Sequence, residues 1–504
     1  MRRAALLVAV SLLLAGCSGF APAADSGPDT TATPESTGTP TNDTDDRSST
    51  TNEATDTPVV HTERADPATD RLGWEDGYWH DDPIDVTVDD GLNASERDRA
   101  ISRAMARVEQ VRGLEFEDSV DVSVISRNNF SSGDSANASL AFQRFDNAKF
   151  EALYLIGEQN DSLATQEDTL DQSVAGFYSP ARGNIVLISD AASPQFDGER
   201  TLAHELQHAL QDQQFGLSNA GVETRDAYNG RNGLVEGDAR AVELDYLDRC
   251  GETWSCLPRA AQNTSQQGDG EESVQPSIHL GVYILEYFPY SDGVGFVRSL
   301  KAQGGWDAVN DAFEAPPSSS TSVIYPDRYG QFEPDTVTIE DRTSDGWERV
   351  RPSNRGDSAT LGQSALTAMF AYTLYDDYNQ STVVSPTDFL NLGDGGVDRT
   401  DPFNYGLPAT SGWTGDRMHV YQRGNETGYV WRLTWENGTE AREFADSYEA
   451  LVAHWGGTQQ GERWTIPADS PFVGAVDVTV EGDTVTIVHG PSASSLDNIY
   501  GGST

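Results

Sequence analysis

The chain has 504 residues, and its 81 acidic against 33 basic side chains leave a formal net charge of −48. That field repels a phosphate backbone, which excludes nucleic-acid binding, and the acids are spread along the chain rather than gathered in a tail for a cationic partner. Lys149 and Lys301 are the only lysines; an acidic, lysine-poor surface suits near-saturating salt, where at about 1 M ionic strength charges are screened within about 3 Å, so we infer a halophilic archaeon.

Residues 1–17 carry Arg2 and Arg3, an apolar run from Ala4 to Leu14, and then Ala15-Gly16-Cys17. The run is too short to cross a bilayer as a mature helix, and small residues before Cys17 resemble a lipobox, in which cleavage leaves a lipid-bearing cysteine at the new N-terminus. A lipoprotein anchored through Cys17 on the extracellular face of the membrane is expected, with a plain secretory signal as the alternative. Residues 18–71 are mostly Thr, Ser, Asp, Pro, Ala and Gly with almost nothing to bury, and read as a disordered tether suited to O-glycosylation. N-glycan sequons recur from Asn42 to Asn437.

The folded body is expected as an α+β protein with one domain over 72–330, a smaller α+β domain over 331–490 and a flexible tail over 491–504. Helical spacing of apolar residues predicts helices over Ser95–Gly113 and Leu140–Glu158, and alternation predicts a strand over Val120–Ile125. Two apolar runs from Val174 to Ile188, split by Pro180 and Gly183, predict a β-hairpin. An exposed edge there could hold an extended peptide by strand addition.

The stretch Thr201–Phe215 contains His204, Glu205 and His208 in the order H-E-x-x-H. At about 100° per residue the two histidines stack on one helical face and can reach one metal, while Leu202, Leu206, Ala209 and Leu210 form a core-facing stripe. Asp197 is a candidate N-cap and Gly216 a C-terminal stop. Two histidines leave a zinc site one ligand short, and four carboxylates follow the helix: Glu223, Asp226, Glu236 and Asp238. Glu236 stands between Leu234-Val235 and Gly237, where an unpaired carboxylate would be costly, so it is the expected third ligand. Asp238 points about 200° away on a helix over Arg225–Asp248 and is expected to bond a neighbouring backbone group or arginine. Zn2+ held by three protein ligands keeps a position for water, and Glu205 is the candidate general base. Asp212, one turn beyond His208, is either the partner of a ligand histidine or a solvated acid. Tyr178 and Tyr325 are candidates to stabilise an oxyanion, with core packing as the plainer role for each. In RCGETWSC, Cys250 and Cys256 are expected to close a small disulfide loop, with two free thiols as the alternative.

HELQHALQDQQF followed by LVEGDAR resembles a family of exported zincin-like metallopeptidases of archaea and bacteria, which pair HExxHALQDQ with EGDA. GFYSP before the helix, SSTSVIYPDRY at 319–329, GWTGDR at 412–417 and VWRLTWENGTEAREFADSY at 430–448 look like the same family, so the resemblance runs from about 170 to 450. It implies a zincin-like fold, a glutamate-type zinc site and a peptide or protein substrate. The chain departs from the family at Tyr325-Pro326, where the family carries His-Pro.

Past Tyr329, Asp357–Tyr378 and Glu440–Val452 read as helices and four segments between Met418 and Val488 alternate like strands. His419, His454 and His489 are isolated and read as structural. Two functions fit the sequence: a surface-anchored zinc endopeptidase, or a surface binding or scaffold lipoprotein that keeps the fold without turnover.

Overall fold

The computed structural model describes residues 66–88, 91–133, 135–189, 199–217, 222–257, 278–353, 355–393 and 395–501. The export signal, Cys17, the tether as far as residue 65 and Asp197 lie outside them. Among the described residues no helix is long and apolar enough to cross a membrane.

The body opens with two short paired strands, β1 (Trp74–Glu75) and β2 (Tyr78–Trp79), laid on helix α1 (Ala94–Arg112). An Asn93–Glu96 capping box starts α1, and Gly113, at φ 76°, ends it by donating its N–H to Glu109 O. Ala100, Ala104, Val108 and Val111 repeat at helical spacing and are buried. Glu109, also buried, accepts from Gly73 N at 2.7 Å and Phe116 N at 2.8 Å, which ties down the first residues of the body. Glu75 is buried against it; burial first, and then the hydrogen bond and charge of Glu109, push the Glu75 carboxyl well above its ordinary value of 4.5. Burial also raises Glu109. Acids whose pKa is raised by folding stabilise fully below the ordinary value and lose that contribution as pH rises. The melting temperature is therefore expected to fall as pH rises from about 4.5 to about 9, and Glu75→Gln to flatten that fall. Identical slopes over that range for wild type and Glu75→Gln would refute this linkage.

Strands β3 (Asp121–Ile125), β4 (Gly176–Ser179) and β5 (Asn184–Ile188) form a sheet in the order β3-β5-β4. β3 runs parallel to β5, and β4 is the antiparallel edge strand of the expected hairpin. Helix α2 (Leu140–Ala152) ends before Glu158, because Leu155 and Ile156 fold back to donate to Phe150 O and Tyr154 takes φ 51°. Helix α3 (Ser162–Ser173) escapes the apolar-spacing test since only Ser162, Thr169 and Ser173 are buried; the Asp161 side chain caps it.

Three long helices form the centre: α4 (Arg200–Phe215), α5 (Arg225–Arg249) and α6 (Leu280–Glu314), the last interrupted at Gly304–Gly305. α5 and α6 cross at glycines. A Cβ on Gly237 would sit 2.2 Å from Gly293 O, and one on Gly293 2.4 Å from Gly233 O. After helix α7 (Ser320–Ile324) come strand β6 (Glu348–Arg349) and helix α8 (Gly362–Tyr372), whose Ala365, Leu366 and Met369 pack in one continuous core with Leu234 of α5 and Ile284 of α6.

The sheet-rich C-terminal region consists of β7 (Trp413–Arg423), β8 (Glu426–Trp435), helix α9 (Gly438–His454), β9 (Thr458–Gln460), β10 (Arg463–Ile466), β11 (Gly474–Glu481) and β12 (Thr484–Gly490). With β6 they make an antiparallel sheet ordered β9-β10-β11-β12-β8-β7-β6. Alternation along β8 sends Tyr429, Trp431 and Leu433 toward Phe444 and Tyr448 of α9, and Val430 toward the other face. That face is covered by helix α10 (Ala493–Tyr500), with Leu496 and Ile499 buried against Tyr421, Val430 and Val488. The expected flexible tail is thus corrected as far as Gly501: two apolar residues three apart are enough to dock a capped helix on the sheet.

Candidate metal centre

Helix α4 presents His204 and His208 on one face, as their spacing requires, and α5 brings Glu236 to them. His204 Nε2 lies 3.1 Å from His208 Nε2 and 3.2 Å from Glu236 Oε2, and His208 Nε2 lies 3.4 Å from the same oxygen. Ligands at about 2.0–2.2 Å in tetrahedral directions stand about 3.3–3.6 Å apart, so this triangle is close to what a metal ion with one further open position needs. Among the described residues these three are the only group of His, Cys, Asp or Glu able to hold a metal, and all are buried. Leu202, Leu206 and Leu210 on the opposite face of α4 are at most 1 % exposed, which fixes the rotation of the helix.

Charges around the triangle favour a cation. Burial alone would raise Glu236, but the charge of His208 and hydrogen bonds from both histidines outweigh it and hold the carboxyl at about 2. Burial lowers His204, and is outweighed by its hydrogen bond to Glu236 and its close contact with the Glu243 carboxylate, which lift it to about 10. The same carboxylates that stabilise an imidazolium would stabilise a metal ion in its place. Glu205 is different. Burial dominates and raises its pKa, against the charges of His204 and His208. Its Oε2 accepts from Tyr178 N at 2.8 Å, while Oε1 is buried with no hydrogen-bond partner among the described residues. An available carboxylate oxygen beside the ligands, with its affinity for protons raised, is what a general base requires.

Outer partners hold both histidines. His204 Nδ1 lies 3.3 Å from Glu243 Oε2, an ion-pair contact short of good hydrogen-bond geometry, and Glu243 is bound by Arg200 and Arg240. His208 Nδ1 contacts Gln211 Oε1 at 2.9 Å. Gln211 Nε2 donates to Val235 O and to Asp238 Oδ2, each at 2.9 Å, and Gln207 donates to the same Asp238 oxygen at 2.8 Å. Asp238 is paired with Arg112 Nε at 3.0 Å, both side chains wholly buried. Such partners set ring orientation and ligand basicity. Glu243, Gln207 and Gln211 were not singled out from the sequence; Glu243 stands two helical turns beyond Glu236, and that spacing was the available signal.

Three expected roles are corrected. Asp212 does not reach His208: its Oδ2 accepts from Tyr178 OH and its Oδ1 from Leu217 N, both at 2.8 Å, so it closes the end of α4. Tyr178 reaches the site through its backbone, since its hydroxyl is donated to Asp212. Tyr325 OH accepts from Gln363 at 3.0 Å, placing it at the α7–α8 packing rather than against a ligand. The tyrosine that does meet the site is Tyr290 of α6, stacked on His204 with ring centroids 6.1 Å apart. Asp226 is buried under Ser320, whose N–H and hydroxyl it accepts, and so takes no part.

The start of α4 is braced from outside. Its cap position is Glu199, whose side chain does not cap the helix. Glu199 instead pairs with Arg103 at 2.6 Å and Arg107 at 2.7 Å, and accepts from Tyr246 OH and Leu257 N. Cys250 and Cys256 form a disulfide, and the loop they close gives Ser255 O to Arg107.

A family model described as a domain of unknown function (DUF8575) matches residues 348–500. That span runs from β6 to the last residue of α10 and leaves out α4 and α5 with their metal-site residues. No curated protein and no solved structure matches the chain.

Proposed function

We propose that the protein is a zinc-dependent peptide hydrolase of zincin-like fold, carried on the outer face of the cell membrane by lipid on Cys17. The observation that carries this reading is the buried His204–His208–Glu236 triangle with Glu205 Oε1, which has no hydrogen-bond partner among the described residues, beside it. The two imidazoles and one carboxylate would hold the ion. Bound there, zinc supplies a Lewis acid for the scissile carbonyl and lowers the pKa of water toward about 7. Glu205 Oε1 takes the proton of the attacking water and delivers it to the leaving amine nitrogen. Tyr178 N–H holds the other carboxylate oxygen so that Oε1 keeps its aim. β4 is an edge strand of its sheet, which supports strand addition as the way an extended peptide would bind.

A second reading, a surface scaffold lipoprotein without turnover, is favoured by the near-complete burial of the triangle, with His204 and Glu236 each 1 % exposed. Hydrolysis of an unstructured protein substrate in molar salt separates the two. The peptidase reading expects turnover by wild type and a loss of at least about 100-fold in Glu205→Gln with bound zinc retained. Equal rates in both, or no turnover by zinc-loaded wild type, would leave the scaffold.

A further inference from the structure

Far along the chain from the metal site, the loop after α8 and the end of α9 bring together a serine, a histidine and an aspartate. His454 Nε2 lies 3.0 Å from Asp376 Oδ2, and His454 Nδ1 lies 3.3 Å from Ser381 Oγ. The histidine and aspartate side chains are 1 % and 3 % exposed, whereas Ser381 faces solvent. With its Nε2–H donated to Asp376, the imidazole carries its lone pair on Nδ1, aimed at the serine hydroxyl. We propose that Ser381 is a base-activated nucleophile for acyl transfer, with His454 as its base and Asp376 orienting the imidazole.

The surroundings support each role. His454 is the last residue of α9, and the Asp376 carboxylate bound to its Nε2 fixes the ring with Nδ1 toward the serine. Asn379 holds the loop: its Oδ1 accepts from Ser381 N at 3.2 Å and its Nδ2 donates to His454 O at 3.1 Å. Trp455 packs edge-on to His454 with centroids 5.1 Å apart, and Tyr378, 39 % exposed, lies 5.1 Å from Trp455. An exposed aromatic three residues before the serine, packed on Trp455, suits a small ester with an apolar acyl or aryl group. The two imidazole nitrogens exchange the places they hold in the familiar serine hydrolases, but either can serve as base when the other is bound to a carboxylate. Ser381 Oγ would bond to the carbonyl carbon as its proton passes to His454 Nδ1. The bond to the leaving alcohol then breaks, and that oxygen takes the proton. Water attacks the acyl-serine ester by the same route and returns the proton to Ser381. All three residues lie within the span matched by the domain of unknown function.

The test uses the purified full chain in molar salt and a fluorophosphonate probe, in which the Ser381 Oγ–P bond forms, the P–F bond breaks, fluoride leaves and the proton passes to His454. Expected are one label per chain, mapped to Ser381, none in Ser381→Ala, and labelling slowed at least about 100-fold in Asp376→Asn and in His454→Gln. Ser381→Ala should keep wild-type metal content, and Glu205→Gln should label at the wild-type rate, separating this site from the metal site. Folding of Asp376→Asn and His454→Gln is checked by circular dichroism. No label at Ser381 in wild type, or a rate unchanged in folded Asp376→Asn, would overturn the proposal.

Discussion

Gly237→Ala is expected to destabilise the protein by about 3 kcal/mol or more and to abolish metal binding at the proposed centre, although the substitution adds one methyl group. Overpacking usually costs about 1–3 kcal/mol, when side chains at the contact can move. Here the obstacle is backbone: the new Cβ would stand 2.2 Å from Gly293 O and 2.4 Å from Gly293 C. Neither atom can turn aside, so α5 and α6 must separate along the line where they are packed most closely. Glu236 is the adjacent residue, and a shift of its helix opens the 3.2 Å and 3.4 Å contacts that define the metal triangle. A melting temperature and metal content equal to wild type would show that the crossing is looser than this geometry. Gly295, on α6 two residues beyond Gly293 with nothing within 4 Å of an added Cβ, is the control position, since Ala there meets open space.

Arg112→Met is expected to cost about 3–5 kcal/mol, because it leaves Asp238 charged and buried without its partner. Arg112 ends α1, Asp238 lies mid-way along α5, and both side chains are 0 % exposed. Arg112 also donates to Asn310 at 2.7 Å and lies 4.4 Å from the Trp306 ring centroid, so the loss reaches α6 as well. Through Asp238 the effect passes to Gln211 and from there to His208 Nδ1, so metal affinity should fall about 10- to 100-fold. Arg112→Met combined with Asp238→Leu should be more stable than the sum of the two single losses, since no charge is then stranded. A change below about 1 kcal/mol for Arg112→Met alone would mean that the pair is not what positions α5.

The three residues that could hold a metal were legible in the sequence because their signals are local. The four-residue interval of His204 and His208 has one meaning on a helix, and Glu236 is conspicuous as an acid beside Leu234 and Val235. Tertiary partnership was not legible in the same way. Asp212 has helical spacing suitable for His208, yet Tyr178 and Leu217 take both its oxygens. Gln211, a residue type with no charge to mark it, meets the ring instead. Hydroxyl direction is likewise a tertiary property, which is why Tyr178 and Tyr325 point elsewhere while Tyr290, in an unremarked stretch of α6, stacks on His204. Among the elements, the amphipathic helices α1, α2, α4, α5, α8 and α9 and the alternating strands β7, β8, β11 and β12 were readable. The longest helix, α6, was not, since its first turns are buried on nearly every side from Gly281 to Pro289 and show no period. The polar α3 has too little apolar surface, and β9, β10 and α10 too few residues, for a period to emerge.

Zinc content per chain, measured by elemental mass spectrometry on wild type, Glu236→Ala and Glu223→Ala purified side by side in molar salt, bears most directly on the metal centre. Glu223 is an exposed carboxylate in the loop before α5 and serves as the comparison. The expected result is about one zinc per chain in wild type and in Glu223→Ala, and less than about a tenth of that in Glu236→Ala, as removal of one of three protein ligands requires. Glu236→Ala protein that holds one zinc per chain as tightly as wild type would contradict the assignment of His204, His208 and Glu236 as the ligand set.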